Sequence, residues 1–192
     1  MPQSLHILTS HIIFSTKERQ PWLTENIRAR VWAYLSRVLQ NLDCHSITVG
    51  GVADHIHVVC NLTKKHAPMK VLEILKKDSS KFVKTLNPSL ARFHWQDGYG
   101  LFSASPENRE GVKNYVLNQE QHHRKETFKE EYLRILKEHR ALSTSAICGI
   151  EVTRVSARLG CPFRARTSRN WPTEGGALGY YGPALWAGSG GL

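Results

Sequence analysis

Two histidines two residues apart, His55 and His57, and a tyrosine four residues ahead of a glutamine, Tyr115 and Gln119, are where this sequence could do chemistry. The histidines open an apolar run from His55 to Leu62. Side chains alternate along a strand, so both imidazoles leave one face and can converge on one ion. Imidazole suits transition metals and zinc. A lone His-x-His is more often a pair of surface histidines than a ligand set. Here the run is otherwise apolar and Asp54 stands at its start. Residues four apart on a helix share a face, so the Tyr115 hydroxyl and the Gln119 amide project together. Tyrosine serves as a nucleophile in some covalent mechanisms. Its ordinary pKa of about 10 leaves it protonated, and a nearby cation would favour the phenolate and polarise a phosphate under attack. Read alone, Tyr115 fits ordinary helix packing better, beside Val112, Val116 and Leu117.

The elements that must position these residues follow from hydrophobic period. Leu5 to Thr16 predicts a strand, rich in β-branched and apolar residues. Thr24 caps a predicted helix from Glu25 to Leu42. Strands are expected over Ser46–Val52 and His55–Leu62, with a bulge at Gly50-Gly51. Ile56, Val58 and Cys60 should face one side, and His55, His57, Val59 and Asn61 the other. A second helix, Pro68 to Leu86, carries an apolar stripe and a lysine face. Phe93-His94-Trp95 and Tyr99 to Ala104 predict a short hairpin around Asp97-Gly98. Ser105-Pro106-Glu107 should start a helix running to His123, and a last amphipathic helix spans Lys125 to His139. The order β-α-β-β-α-β followed by helices is ferredoxin-like. The expected class is α+β: an antiparallel sheet with two helices on one face, plus C-terminal helices. The other face is left for a ligand or partner.

Composition sets the outer limits. The chain of 192 residues has a formal net charge of +10, a balance that suits a polyanionic partner as well as a solubilising surface. No signal peptide and no membrane helix are expected. Cys44, Cys60, Cys148 and Cys161 form no Cys-x-x-Cys pair, which fits reduced thiols in a cytoplasm. Residues 145–192 contain no lysine and gather glycines. The expected division is therefore a domain over residues 1–143 and an irregular extension over 144–192.

Asp54-His55-Ile56-His57, Phe93-His94-Trp95-Gln96-Asp97-Gly98-Tyr99 and Tyr115-Val116-Leu117-Asn118-Gln119 occur in that order, after Phe14-Ser15-Thr16-Lys17 and around Lys76-Lys77-Asp78-Ser79-Ser80. Together they resemble the HUH (His-hydrophobe-His) single-tyrosine transposases of the insertion sequence 200/605 kind and their REP-associated relatives. The resemblance covers Leu5 to His123. It implies a DNA transposase that nicks and rejoins single-stranded DNA through a 5′-phosphotyrosine on Tyr115. It implies His55, His57 and Gln119 as ligands of a magnesium or manganese ion, hairpin-bearing single-stranded DNA as partner, and a homodimer with sheets joined edge to edge. No nucleotide cofactor is needed, because the covalent link conserves the phosphodiester energy. Lys17, Arg19, Lys76, Lys77 and Lys81 are the candidate phosphate contacts. Tyr99 could stack on a base, whereas core packing is preferred for Trp95. His122 and His123 could compete with Gln119 as ligands, although reach favours the closer residue. Three other readings stand beside this one: a domesticated relative that only binds DNA hairpins, a ferredoxin-like RNA-binding module, and a water-using metallohydrolase. The hydrolase would want carboxylate ligands, of which Asp54 is the obvious one.

Overall fold

The structure, a computed structural model, describes residues 5–139. The expected extension over 144–192, with Cys148 and Cys161, lies outside the described residues.

Strand β1 (Thr9–Ser15) is buried at every position, as suits a strand covered on both faces. It pairs antiparallel with β3 (His55–Asn61) on one side and β4 (Gly100–Ser103) on the other. Strand β2 (His45–Gly51) pairs antiparallel with the far side of β3. The sheet order is β2-β3-β1-β4, the ferredoxin-like arrangement that the element order predicts. Helix α1 (Glu25–Asn41) joins β1 to β2, and α2 (Pro68–Leu86) joins β3 to β4. After β4 come α3 (Arg109–Leu117), the single turn α4 (Gln119–His122) and α5 (Phe128–Glu138). No helix among the described residues is long and apolar enough to cross a membrane.

Strand alternation divides the interior in two. Ile12, Phe14, Ile56, Val58 and Cys60 meet Val31, Leu35, Leu72 and Leu75 of α1 and α2 in the larger core. Ile13 and Phe102 point the opposite way and pack against Phe128, Tyr132, Ile135 and Leu136 of α5. The second sheet face is thus roofed by the chain itself rather than left for a partner, and this corrects the sequence expectation. The roof is secured at its start. Thr127 and Glu130 form a reciprocal capping box, with Thr127 N donating to Glu130 Oε2 at 2.9 Å and Glu130 N donating to Thr127 Oγ1 at 3.4 Å.

Other departures have local causes. β1 begins at Thr9 rather than Leu5, because its partner β3 ends at Asn61, opposite Thr9. Leu5 and Ile7 are exposed. The irregularity in β2 falls between Ser46 and Thr48, not at Gly50-Gly51. The glycines serve close approach instead. A Cβ on Gly50 would sit 2.4 Å from the Val116 carbonyl oxygen of α3. Gly51 takes φ 146° where the chain turns toward His55, a region that glycine favours. The hairpin expected over Phe93–Ala104 does not form. β4 pairs with β1, and Trp95 makes only an isolated bridge to Thr16. Lys76 explains why: its ammonium donates to the carbonyls of Gln96 at 2.8 Å, Asp97 at 3.1 Å and Gly98 at 2.8 Å, holding the segment as a loop. Trp95 is buried between Phe14 and Phe93 and donates to Ser79 Oγ at 2.9 Å, so core packing is its role.

Candidate metal and tyrosine centre

Each proposed ligand is set by its strand or helix and held by an outer partner. His55 and His57 leave β3 on the face away from α1 and α2, and both are 0% exposed. His55 Nδ1 donates to Asp54 Oδ1 at 2.7 Å, which turns Nε2 inward. Asp54 is in turn gripped by Arg19, through Nε at 3.2 Å and Nη2 at 2.9 Å. Arg19 also lies over the Phe128 ring, 5.1 Å from its centroid, so this anchor reaches α5. His57 Nδ1 shares a hydrogen bond of 2.9 Å with His11 Nε2 from the neighbouring strand. Ligand imidazoles in metal sites are commonly fixed through their second nitrogen in this way.

The helices after β4 bring the remaining groups. Instead of one helix from Ser105 to His123, α3 ends at Leu117 and α4 restarts at Gln119. At the join, the Asn118 side chain donates to the Asn114 carbonyl at 2.9 Å, a local competitor of helical bonding. Tyr115 and Gln119 nonetheless reach the same atom. The Tyr115 hydroxyl donates to Glu131 Oε1, and Gln119 Nε2 donates to it at 2.9 Å. Arg134 Nη2 donates to the Tyr115 hydroxyl at 3.1 Å. A cleft lined by His11, Gly111, Val112, Tyr115, Arg134 and His139 opens onto the phenol.

Glu131 is the residue that sequence reasoning missed. It lies fully buried at the centre, with Oε2 3.5 Å from His55 Nε2 and 3.1 Å from His123 Nε2, and Oε1 3.4 Å from His57 Nε2. A signal existed. Phe128, Glu131, Tyr132 and Ile135 share the inner face of α5, and a carboxylate on an apolar stripe is out of place unless something compensates it. Asp54, the carboxylate singled out from sequence, instead stands behind His55.

The electrostatics follow from burial and from these close contacts. Burial raises the Glu131 carboxyl, but contact with His123, His55 and His57 outweighs it, leaving the pKa well below the carboxylate range. Burial brings His57 down to about 4, and burial together with His57 brings His11 down to about 3. Burial also opposes charge on His55, yet Asp54 and Glu131 prevail and raise its pKa. Burial, then Glu131, push the Tyr115 phenol above its usual range. His55 Nε2, His57 Nε2, His123 Nε2, Gln119 Oε1 and Glu131 Oε2 are buried and find no hydrogen-bond partner among the described residues. Buried polar atoms of this kind are rare and costly. Imidazoles and a carboxylate around one point are a fitting donor set for a divalent cation.

Of the candidate DNA contacts, Lys76, Lys77 and Lys81 share α2. Lys17, Lys77 and Lys81 are exposed. Lys77 flanks a groove that includes Ser80, His94 and Gln96. The Lys17 amide donates to the His94 carbonyl at 2.8 Å, which brings that basic residue to the same segment. Lys76 is committed to its loop, and Arg19 to Asp54. Tyr99 is half-buried, with the Lys76 ammonium 5.5 Å from its ring centroid.

A sequence model described as transposase, IS200-like, matches residues 4–119, from the start of the fold through Gln119. This chain belongs to the IS200-like transposase family. Comparison with curated proteins finds no match. Among solved structures, the chain is similar to a protein of Deinococcus radiodurans R1 assigned as a transposase. That pair shares 19% identity over 62% of this chain and 98% of the other, with a TM-score of 0.49. It is also similar to a REP-associated tyrosine transposase bound to a REP hairpin, at 11% identity over 64% and 72% of the two chains, with a TM-score of 0.48. The family match ends at Gln119, so His123 and Glu131 lie beyond it.

Proposed function

We propose that this IS200-like transposase cleaves and rejoins single-stranded DNA through a covalent link to Tyr115, with a divalent cation held by His55, His57 and Gln119. One observation carries the reading: the phenol, both imidazoles and the glutamine converge on one carboxylate, although His57 and Tyr115 are 58 positions apart in the sequence. The Tyr115 oxygen would attack the scissile phosphorus as the bond to the 3′-oxygen breaks. The phenolic proton leaves, and the departing 3′-oxygen takes one up. The product is a 5′-phosphotyrosine and a free 3′-hydroxyl, and attack by a 3′-hydroxyl on that link reverses the step. Bound magnesium or manganese would polarise the phosphate and favour the phenolate.

The chain's own residues supply the rest. Asp54 and His11 aim His55 and His57 inward. Arg134, bonded to the phenol oxygen and stacked 5.6 Å from the centroid of its ring, favours the anionic form that Glu131 opposes. Lys17, Lys77 and Lys81 would meet backbone phosphates, while Lys76 holds its loop and Arg19 holds Asp54. The proposed partner is single-stranded DNA bearing hairpin ends, and the proposed assembly is a homodimer. Among the described residues, the edge strands of the sheet are β2 and β4.

The test is incubation with single-stranded DNA from the ends of the element and manganese. Wild-type protein should form an adduct that survives denaturation. Tyr115→Phe should form none while still binding DNA, and an adduct in that variant would refute the assignment of the nucleophile. Binding without an adduct in the wild type would favour the hairpin-binding relative.

A further inference from the structure

We infer that Glu131 and His123, both beyond the residues that the family model matches, are metal ligands that add one carboxylate and a third imidazole to His55, His57 and Gln119. The inference rests on the metal-dependent reading of this site and deepens it by naming the ligand set. His55, His57, His123 and Glu131 each present one ligand atom, and these four atoms lie within 4.8 Å of one another. The three imidazole nitrogens and Glu131 Oε2 are buried and without hydrogen-bond partners among the described residues.

The imidazole contacts around Glu131 are close but poorly aligned. The imidazoles sit close to the carboxylate, at 3.1 to 3.5 Å, yet none is aligned as a hydrogen-bond donor to it. A cation seated between the inward nitrogens and the carboxylate would engage all of these atoms at once. The other ring nitrogens are already engaged: His55 Nδ1 with Asp54, His57 Nδ1 with His11, and His123 Nδ1 with the Glu126 carbonyl at 2.9 Å. The inward nitrogens are therefore the ones left to coordinate. His122, one residue before, is spent differently, on Glu126 at 2.6 Å. The helix break at Asn118 and the turn after α4 let His123 face the centre.

Glu131 also ties ligand set to nucleophile, since its Oε1 accepts from both Tyr115 and Gln119. Three neutral nitrogen donors and a single carboxylate favour manganese or a later first-row ion over magnesium, which prefers oxygen ligands. Helix α5 then belongs to the metal site rather than merely covering it.

Mn2+ binding to the full-length protein, followed by the electron paramagnetic resonance signal of the free ion, tests this without any DNA. Manganese is chosen because thiolates, including those outside the described residues, hold it poorly. Asp54→Asn sets the benchmark for losing an outer partner, roughly a 10–100-fold weakening. Glu131→Gln and His123→Ala should each weaken binding by more than that benchmark, and His57→Ala should abolish it. Should Glu131→Gln fail to fold by circular dichroism, Glu131→Asp keeps the charge but shortens the reach, and it too should weaken binding. Full affinity in Glu131→Gln, or in Glu131→Asp where that variant stands in, with binding lost in His57→Ala, overturns the ligand assignment and leaves the metal reading standing. Wild-type affinity in His57→Ala overturns both.

Discussion

At the scale of single residues, the proposed centre depends on groups that stand behind its ligands. Asp54 is one. It fixes the His55 ring and is itself fixed by Arg19, so Asp54→Asn should leave the fold intact and slow DNA cleavage by roughly 10–100-fold, measured at saturating manganese and again at limiting manganese. Extra metal should recover much of the loss, and a defect that ignores metal concentration would show that Asp54 acts otherwise. The histidine pair and the tyrosine-glutamine spacing were legible in the sequence because strand and helix periods dictate which side chains share a face. Glu131 was not. Its role depends on α5 folding back across the sheet, a contact between residues far apart in the chain. Only its odd place on an apolar stripe hinted at it. His123 was noticed but ranked behind Gln119 on reach, and after the break at Asn118 both residues come to the Glu131 carboxylate.

At the scale of elements, Gly50 governs where the tyrosine helix can lie. Hydrogen at that position lets α3 approach β2 until the Val116 carbonyl fills the place of a side chain. Gly50→Ala should cost about 1–3 kcal/mol by overpacking, read as a lower midpoint in urea. Cleavage should fall further than the change in folded fraction explains, because Tyr115 shares that helix. An unchanged midpoint would mean the strand and helix part at no cost. The core helices were predictable to within a residue: α2 matches its expected span, and α1 ends one residue short. Helical runs with caps and an apolar stripe carry their own boundaries. The hairpin expected near Asp97-Gly98 failed for a tertiary reason. Turn residues permit a turn, but Lys76 takes up the carbonyls of the segment, and β1 offers β4 a longer partner.

At the scale of the whole molecule, charge and connectivity matter more than any one contact. A protein of net charge +10 should bind single strands in a salt-dependent way. If Lys77 meets a phosphate, Lys77→Ala should flatten the plot of log affinity against log salt by about 0.7. A parallel plot would remove that lysine from the footprint. The overall topology was readable from element order alone, whereas the roof over the second sheet face was not, because an amphipathic helix does not declare which surface it will cover. That roof and the seat of α3 against Gly50 have a genetic consequence. In this arrangement His57 and Tyr115 of the same polypeptide are neighbours, with ring centroids 5.9 Å apart. Two crippled proteins, one lacking the histidine and the other the tyrosine, should therefore fail to complement each other when mixed or co-expressed. Restored cleavage in the mixture would reveal helices exchanged between copies. Its absence would mean that each polypeptide stands or falls by its own mutations.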